Sequence, residues 1–287
     1  MKKNKENKIA LGTAQFSNNY GVTNRELLSS HEIKHILKDS SEFGIKTIDT
    51  APNYDGVEKK LGKFDLKAFN IVTKISLTKD DEIINSRNLN KNIQNSLTAL
   101  NLEKIYAILI RNPTNLMKNK KLLNVLIEYK KKNKISKIGY TLYNIKELSV
   151  LYSYFKPDIV QIPYSIVDKS FENKDWLTKM YNDGIEVHVR SVFLQGLLLI
   201  NEESLPREFS KYREFFKRFD VWIKKNKISK LVACLSPLLY DKRISKVIVG
   251  INSRHNLAQI NNIKKKKVIY PNWLQLKNEN LLNPSKW

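Results

Sequence analysis

A chain of 287 residues with 41% hydrophobic content can bury a large core, either as one α/β barrel or as two smaller domains. Its single cysteine, Cys234, excludes an intrachain disulfide and a cysteine metal cage, which suits a reducing compartment. The net charge of +23 raises nucleic acid as a partner, yet only nine of the 51 basic residues are Arg, the better fork for phosphate and base edges, so the excess reads as solvated lysine. The basic start "MKKNKENKIALGTAQF" has its apolar run broken at Gly12, Thr13 and Gln15, unlike a signal peptide, and no apolar run reaches the roughly 18 residues of a membrane span. The expectation is a soluble, cytoplasmic chain.

Along the chain, short β-branched runs alternate with helical stretches, the pattern of parallel βα units. The predicted strands are "KIALGT", "KTIDT", "FNIVTKI", "IYAILIR", "ISKIGYT", "DIVQIPY", "EVHVRSVF" and "KVIVGI", eight in all. Helices are predicted at 31–43 after Ser29 and Ser30 as caps, then at 89–101, 119–132, 144–154 and 173–182, with Gly44 and Gly184 as left-handed stops. "REFFKRFDVWIKK" and "SKLVACLSPLLYD" add a local elaboration before the last strand, and Cys234 reads as a buried thiol on the second. No linker or shift in composition divides the chain, so a single (β/α)8 barrel over 1–287 is expected, with 268–287 as a tail over it. An open doubly wound sheet competes, but neither GxGxxG nor GxxxxGK[ST] is present.

In such a barrel the chemistry gathers at the carboxyl ends of the strands. Asp49 ends the second strand, Tyr54 follows on its loop, Lys74 lies near the end of the third and Arg111 ends the fourth. Each alone has a bland explanation as a cap, a packing ring or a solvated charge; together they place complementary groups on one rim. A lysine beside a tyrosine favours phenolate and so makes the phenol a better proton donor, with Asp49 holding the lysine. That suits carbonyl reduction.

These residues carry a resemblance. "DTAPNYDGVEKKLG", then "TK", then "LIRNP", is similar to the aldo-keto reductase family, and "IGYTLYN", "VQIPYSIVD", "VRSVFLQGLLL" and "KVIVGINSRHNLAQI" continue it in order over nearly the full length. The resemblance implies an NAD(P)H-dependent oxidoreductase reducing an aldehyde, ketone or sugar-type carbonyl, with Asp49, Tyr54 and Lys74 catalytic and Tyr54 the general acid. At the fourth catalytic position the family's histidine is replaced by Arg111. A guanidinium donates hydrogen bonds but cannot shuttle a proton, so three readings stay open: a working reductase for an anionic substrate, a slow or altered reductase, and a barrel that binds cofactor without turnover, as a redox sensor or partner-binding protein.

The resemblance further implies a nicotinamide cofactor with its amide held by Thr141 and Gln161, its pyrophosphate by Ser191, Phe193 and Gln195, and its adenosine end by Gly250, Ser253, Asn256 and Gln259; Thr13 and Asp49 are also cofactor-binding, and Arg190 takes the place of an aromatic that stacks on nicotinamide. NADPH is the first choice and NADH the alternative, because Asn256 stands where many members place an arginine for the 2′-phosphate; Arg254 or nearby lysines would have to compensate. "AQFSNNYGVTN" resembles bacterial members associated with sugar or surface-polysaccharide metabolism. Asn18, Asn19 and Asn53 with Arg111 suit a hydroxylated or anionic small-molecule carbonyl compound, with no specific nucleic acid and no membrane as partner. No metal is expected: His31 and His35 lack a third ligand, His255 is placed in a loop, and His188 on the seventh strand reads as a core histidine before a spare imidazole.

Overall fold

The computed structural model describes residues 7–17, 28–80, 82–264, 266–283 and 287. Asn18 and Asn19, assigned above to the mouth, lie outside them. Eight parallel strands close into a barrel: β1 (Ile9–Gly12), β2 (Thr47–Asp49), β3 (Asn70–Ser76), β4 (Ile105–Arg111), β5 (Ile135–Thr141), β6 (Ile159–Pro163), β7 (Glu186–Arg190) and β8 (Lys246–Gly250). Each pairs with its neighbours in sequence, and the seam is β1 on β8, with Ile9 opposite Val247 and Gly12 opposite Gly250. All eight match the predicted runs. Such strands are buried on both faces, which is why they read as continuous apolar runs rather than alternating ones.

The helices follow the expected punctuation. Helix Ser30–Glu42 begins in a reciprocal capping box: Glu32 N donates to Ser29 Oγ, and Ser29 N donates back to the Glu32 carboxylate. Gly44 and Gly184, at φ 71° and 73°, make the left-handed turns that stop two helices before the next strand. The predicted helix 119–132 is observed as Lys120–Lys131, capped at Asn119; a separate short helix, Asn115–Lys118, precedes it, and Asn119 parts the two at φ −138°, ψ 86°. Likewise 173–182 opens as a 3-10 turn over Ser170–Asp175 and becomes α-helical at Trp176–Asn182. A small antiparallel hairpin, Thr78–Lys79 on Glu82–Ile83, was not expected.

Beyond β7 the elaboration forms a second apolar cluster. Helix Arg213–Lys225 contributes Phe216 and Phe219, helix Lys230–Tyr240 contributes Ala233 and Cys234, and the chain end contributes Leu274 and Leu281. Burial pushes the Cys234 thiol up to about 12, so it is inert packing. The final segment is fastened by Leu276 N donating to Val167 O and Tyr270 Oη donating to Ala233 O, both at 2.8 Å. Among the described residues no helix is long and apolar enough to cross a membrane.

Candidate active site

The carboxyl end of the barrel opens into a cavity of 460 Å³ whose floor is Asp49, Lys74 and Gln161. Asp49, at the end of β2, is tied down from both sides. The backbone N–H and hydroxyl of Thr13, each at 3.0 Å, donate to its carbonyl, and its side-chain Oδ2 accepts from Gln161 Nε2 at 2.7 Å. Oδ1 accepts from Lys74 Nζ at 2.6 Å. Lys74 reaches up from β3 and also donates to Thr50 O at 3.0 Å and to Tyr54 Oη at 3.4 Å. Burial by itself would push the amine toward neutrality, but the Asp49 carboxylate and Tyr54 outweigh it, and its pKa is raised. Lys74 is therefore a fixed ammonium.

Tyr54 is presented by a tight turn after β2. Tyr54 N donates to Ala51 O, Val57 N donates to Tyr54 O, and Gly56 at φ 73° supplies the left-handed step that starts the helix Val57–Leu61. Glu58 on that helix is buried and accepts from Thr73 Oγ1 at 2.6 Å, fixing the turn to β3 next to Lys74. Desolvation raises the Glu58 pKa against that hydrogen bond.

Arg111, Thr141, Gln161, Arg190, Ser191, Phe193, Gln195 and Gly250 all border the cavity. Thr141 Oγ1 meets Gln161 Oε1 at 3.2 Å, giving a buried hydroxyl and amide that can hold a carboxamide. Thr13 does not reach the cavity wall: it is fully buried and its hydroxyl is spent on Asp49. Ser253 is likewise used as the cap of helix Arg254–Asn261, accepting from Asn256 N at 3.1 Å. Asn256 and Gln259 border an adjoining cavity of 640 Å³ that shares Gln15, Phe193, Gln195, Gly196 and Gly250 with the first. The two form one cleft across the barrel mouth, each within the roughly 300–1,000 Å³ of small-molecule sites. At their junction a Cβ on Gly250 would fall 1.7 Å from Gln15 Oε1, the end of a flexible side chain that would have to swing aside. Ser191, Leu194 and Gln195 hold φ of 58°, 46° and 53° along one wall, a strain that ordinary loops avoid and that functional loops carry.

One residue at this mouth has no counterpart in the sequence reading. Tyr143, two positions past the end of β5, lies between two guanidiniums. Arg190 sits 4.3 Å from its ring centroid while donating to Leu142 O, and Arg111 borders the same side of the cavity. Burial works to raise its pKa, yet the charges of Arg190 and Arg111 leave it below the usual phenol value. The signal available in sequence was its rim position; its partners come from strands 32 and 47 residues away.

The histidines stand apart. His188 is buried below the mouth, with Nε2 3.5 Å from Glu186 Oε2, and does not border the cavity. His31 and His35 contact each other at 4.4 Å on helix Ser30–Glu42, and His255 is helical rather than in a loop. Among the described residues no group of three His, Cys, Asp or Glu is placed to hold a metal ion.

The family model described as "Aldo/keto reductase family" matches residues 8–269. Among solved structures, a glycerol dehydrogenase of Gluconobacter oxydans superposes with a TM-score of 0.71 at 17% identity, covering 93% of this chain and 89% of its own. An aldo-keto reductase of Bacillus halodurans in its holo form gives 0.69 at 16% identity, covering 91% and 88%. At such identities these two likenesses concern the fold. No curated relative matches the sequence. With a closed eight-stranded barrel, a buried Asp49–Lys74 pair beside Tyr54, and a family model that spans nearly the whole chain, the protein belongs to the aldo/keto reductase family.

Proposed function

We propose that the chain is a nicotinamide-dependent carbonyl reductase in which Tyr54 is the general acid, acting as one barrel unit with residues 268–287 closing its side. The observation that carries this reading is the buried Lys74 ammonium held 2.6 Å from Asp49 and 3.4 Å from Tyr54 on the floor of an open cavity. A bound nicotinamide supplies the hydride. Tyr54 supplies the proton: its Oη gives hydrogen to the carbonyl oxygen, and the phenolate left behind lies against a cation that needs no rearrangement to stabilise it. Asp49 keeps that cation charged and aimed. Thr141 and Gln161 orient the carboxamide, and the Arg190–Tyr143 stack walls the mouth on the side of β5 and β7.

Arg111 takes the histidine's place as a donor, not as a proton carrier. It is a permanent cation bordering the cavity, suited to a carbonyl oxygen or to a carboxylate or phosphate on the substrate. This supports a turning-over reductase for hydroxylated or anionic carbonyl compounds above a cofactor-binding barrel without turnover. The test is cofactor oxidation over a panel of aldehydes, keto acids and sugar phosphates, with Tyr54→Phe beside the wild type. The variant is expected to lose about 10²–10⁴-fold in kcat while binding dinucleotide undiminished. Dinucleotide binding with no oxidation of any substrate by the wild type would favour the idle barrel.

A further inference from the structure

The far end of the cleft, where the reading above lays the adenosine half of the cofactor, has a charge arrangement that separates the two nicotinamide dinucleotides. Among the described residues its cationic lining is Lys224 and Lys230, and its anionic lining Glu203 and Asp220. Lys230 is already committed: Nζ lies 2.5 Å from Asp220 Oδ1 and donates to Ile200 O, with the side chain 10% exposed. Asp220 in turn accepts from Glu202 N at 2.9 Å, so this pair clasps the 200–204 loop to helices Arg213–Lys225 and Lys230–Tyr240.

Arg254, the residue the sequence offered as a substitute for the missing arginine, faces away. It grips Asp39 on helix Ser30–Glu42 in a two-point pair, Nε to Oδ2 at 2.7 Å and a terminal nitrogen to Oδ1 at 3.1 Å. Asn256, on the cleft wall, offers a neutral amide, and its backbone N–H is spent on Ser253. Among the described lining residues, what remains for a phosphate is Lys224, an exposed single-point charge open to screening by salt, while the exposed carboxylate of Glu203 borders the same cavity. A carboxylate at this place accepts hydrogen bonds from the two hydroxyls of an unmodified ribose and repels a 2′-phosphate, whereas selection of the phosphate calls for an arginine.

We propose that this cleft selects the dinucleotide with a free ribose diol, NADH, against its 2′-phosphorylated form, and that Glu203 is the discriminating residue. The inference rests on the nicotinamide reading of the site and replaces the NADPH preference drawn from sequence. Calorimetric titration of the full chain with NADH and with NADPH at physiological salt tests it, repeated on Glu203→Lys, an exposed position whose change leaves the core untouched. NADH is expected to bind at least about tenfold more tightly to the wild type, and Glu203→Lys to erase most of that ratio by tightening NADPH. NADPH binding as well as NADH, or a ratio that survives unaltered in the variant, overturns the proposal while leaving the reductase reading intact. Failure of both dinucleotides to bind overturns the reductase reading itself, and this inference with it.

Discussion

Lys74 shows how a buried charge is kept. With its side chain 6% exposed, it would be expensive to hold as an ammonium without Asp49, and Asp49, equally buried, would be expensive without Lys74. Lys74→Met is therefore expected to destabilise the fold by about 3–5 kcal/mol, read from urea midpoints, because it strands a buried carboxylate as well as disarming Tyr54. Arg111 is a different case, since it borders the open cavity. Arg111→His should raise KM for carboxylate- or phosphate-bearing carbonyl compounds at least about tenfold and leave neutral aldehydes little changed, measured as a KM ratio between matched substrates. Asp49, Tyr54, Lys74 and Arg111 were legible in sequence because each lies at or just past a strand end, where the period of the chain already places it on one rim. Tyr143 and the turning away of Arg254 were not: both depend on side chains brought in from distant elements, Arg190 in one case and Asp39 in the other.

At the level of elements, β5 and β6 approach so closely that one position tolerates no side chain. A Cβ on Gly139 would lie 1.9 Å from Ile159 O, and the clash is with backbone, which cannot swing aside. Gly139→Ala should cost at least about 3 kcal/mol and disturb Thr141 two residues on, visible as a lowered melting temperature together with weakened dinucleotide binding. The strands themselves were readable from composition, since a strand covered on both faces announces itself as an unbroken apolar run. The break at Asp175, inside the predicted helix 173–182, was not, because Asp can sit inside a helix or leave it, and tertiary packing decides which.

Across the whole molecule the two ends of the barrel hold different chemistry. At the floor opposite the mouth, Glu186 on β7 accepts from Tyr106 Oη of β4 at 2.8 Å and pairs with Lys137 of β5 at 2.7 Å. Burial would raise its pKa, but the nearby His188, the Lys137 ammonium and the hydrogen bond from Tyr106 win and bring it down to about 2. A depressed carboxyl contributes stability above its unfolded value of 4.5 and loses it as pH falls toward 2. Glu186→Gln should accordingly cost about 2–3 kcal/mol at pH 7, and its gap from wild type in urea midpoint should narrow as pH drops from about 4.5 to 3, with kcat at pH 7 unaffected. The barrel as a whole was legible from the alternation and number of its strands, whereas the charge of +23 pointed to no site, since its lysines are scattered along the sequence.

The seam between β1 and β8, with the Asp39–Arg254 grip beside it, joins segments some 215 to 238 residues apart. A growing chain therefore cannot shut the ring until its last strand has left the ribosome, and until then β1 and β7 each offer an open edge to any other extended polypeptide. Closure is a late, long-range event with a large loop entropy to overcome, which makes synthesis, more than storage, the moment at which this protein is vulnerable to aggregation.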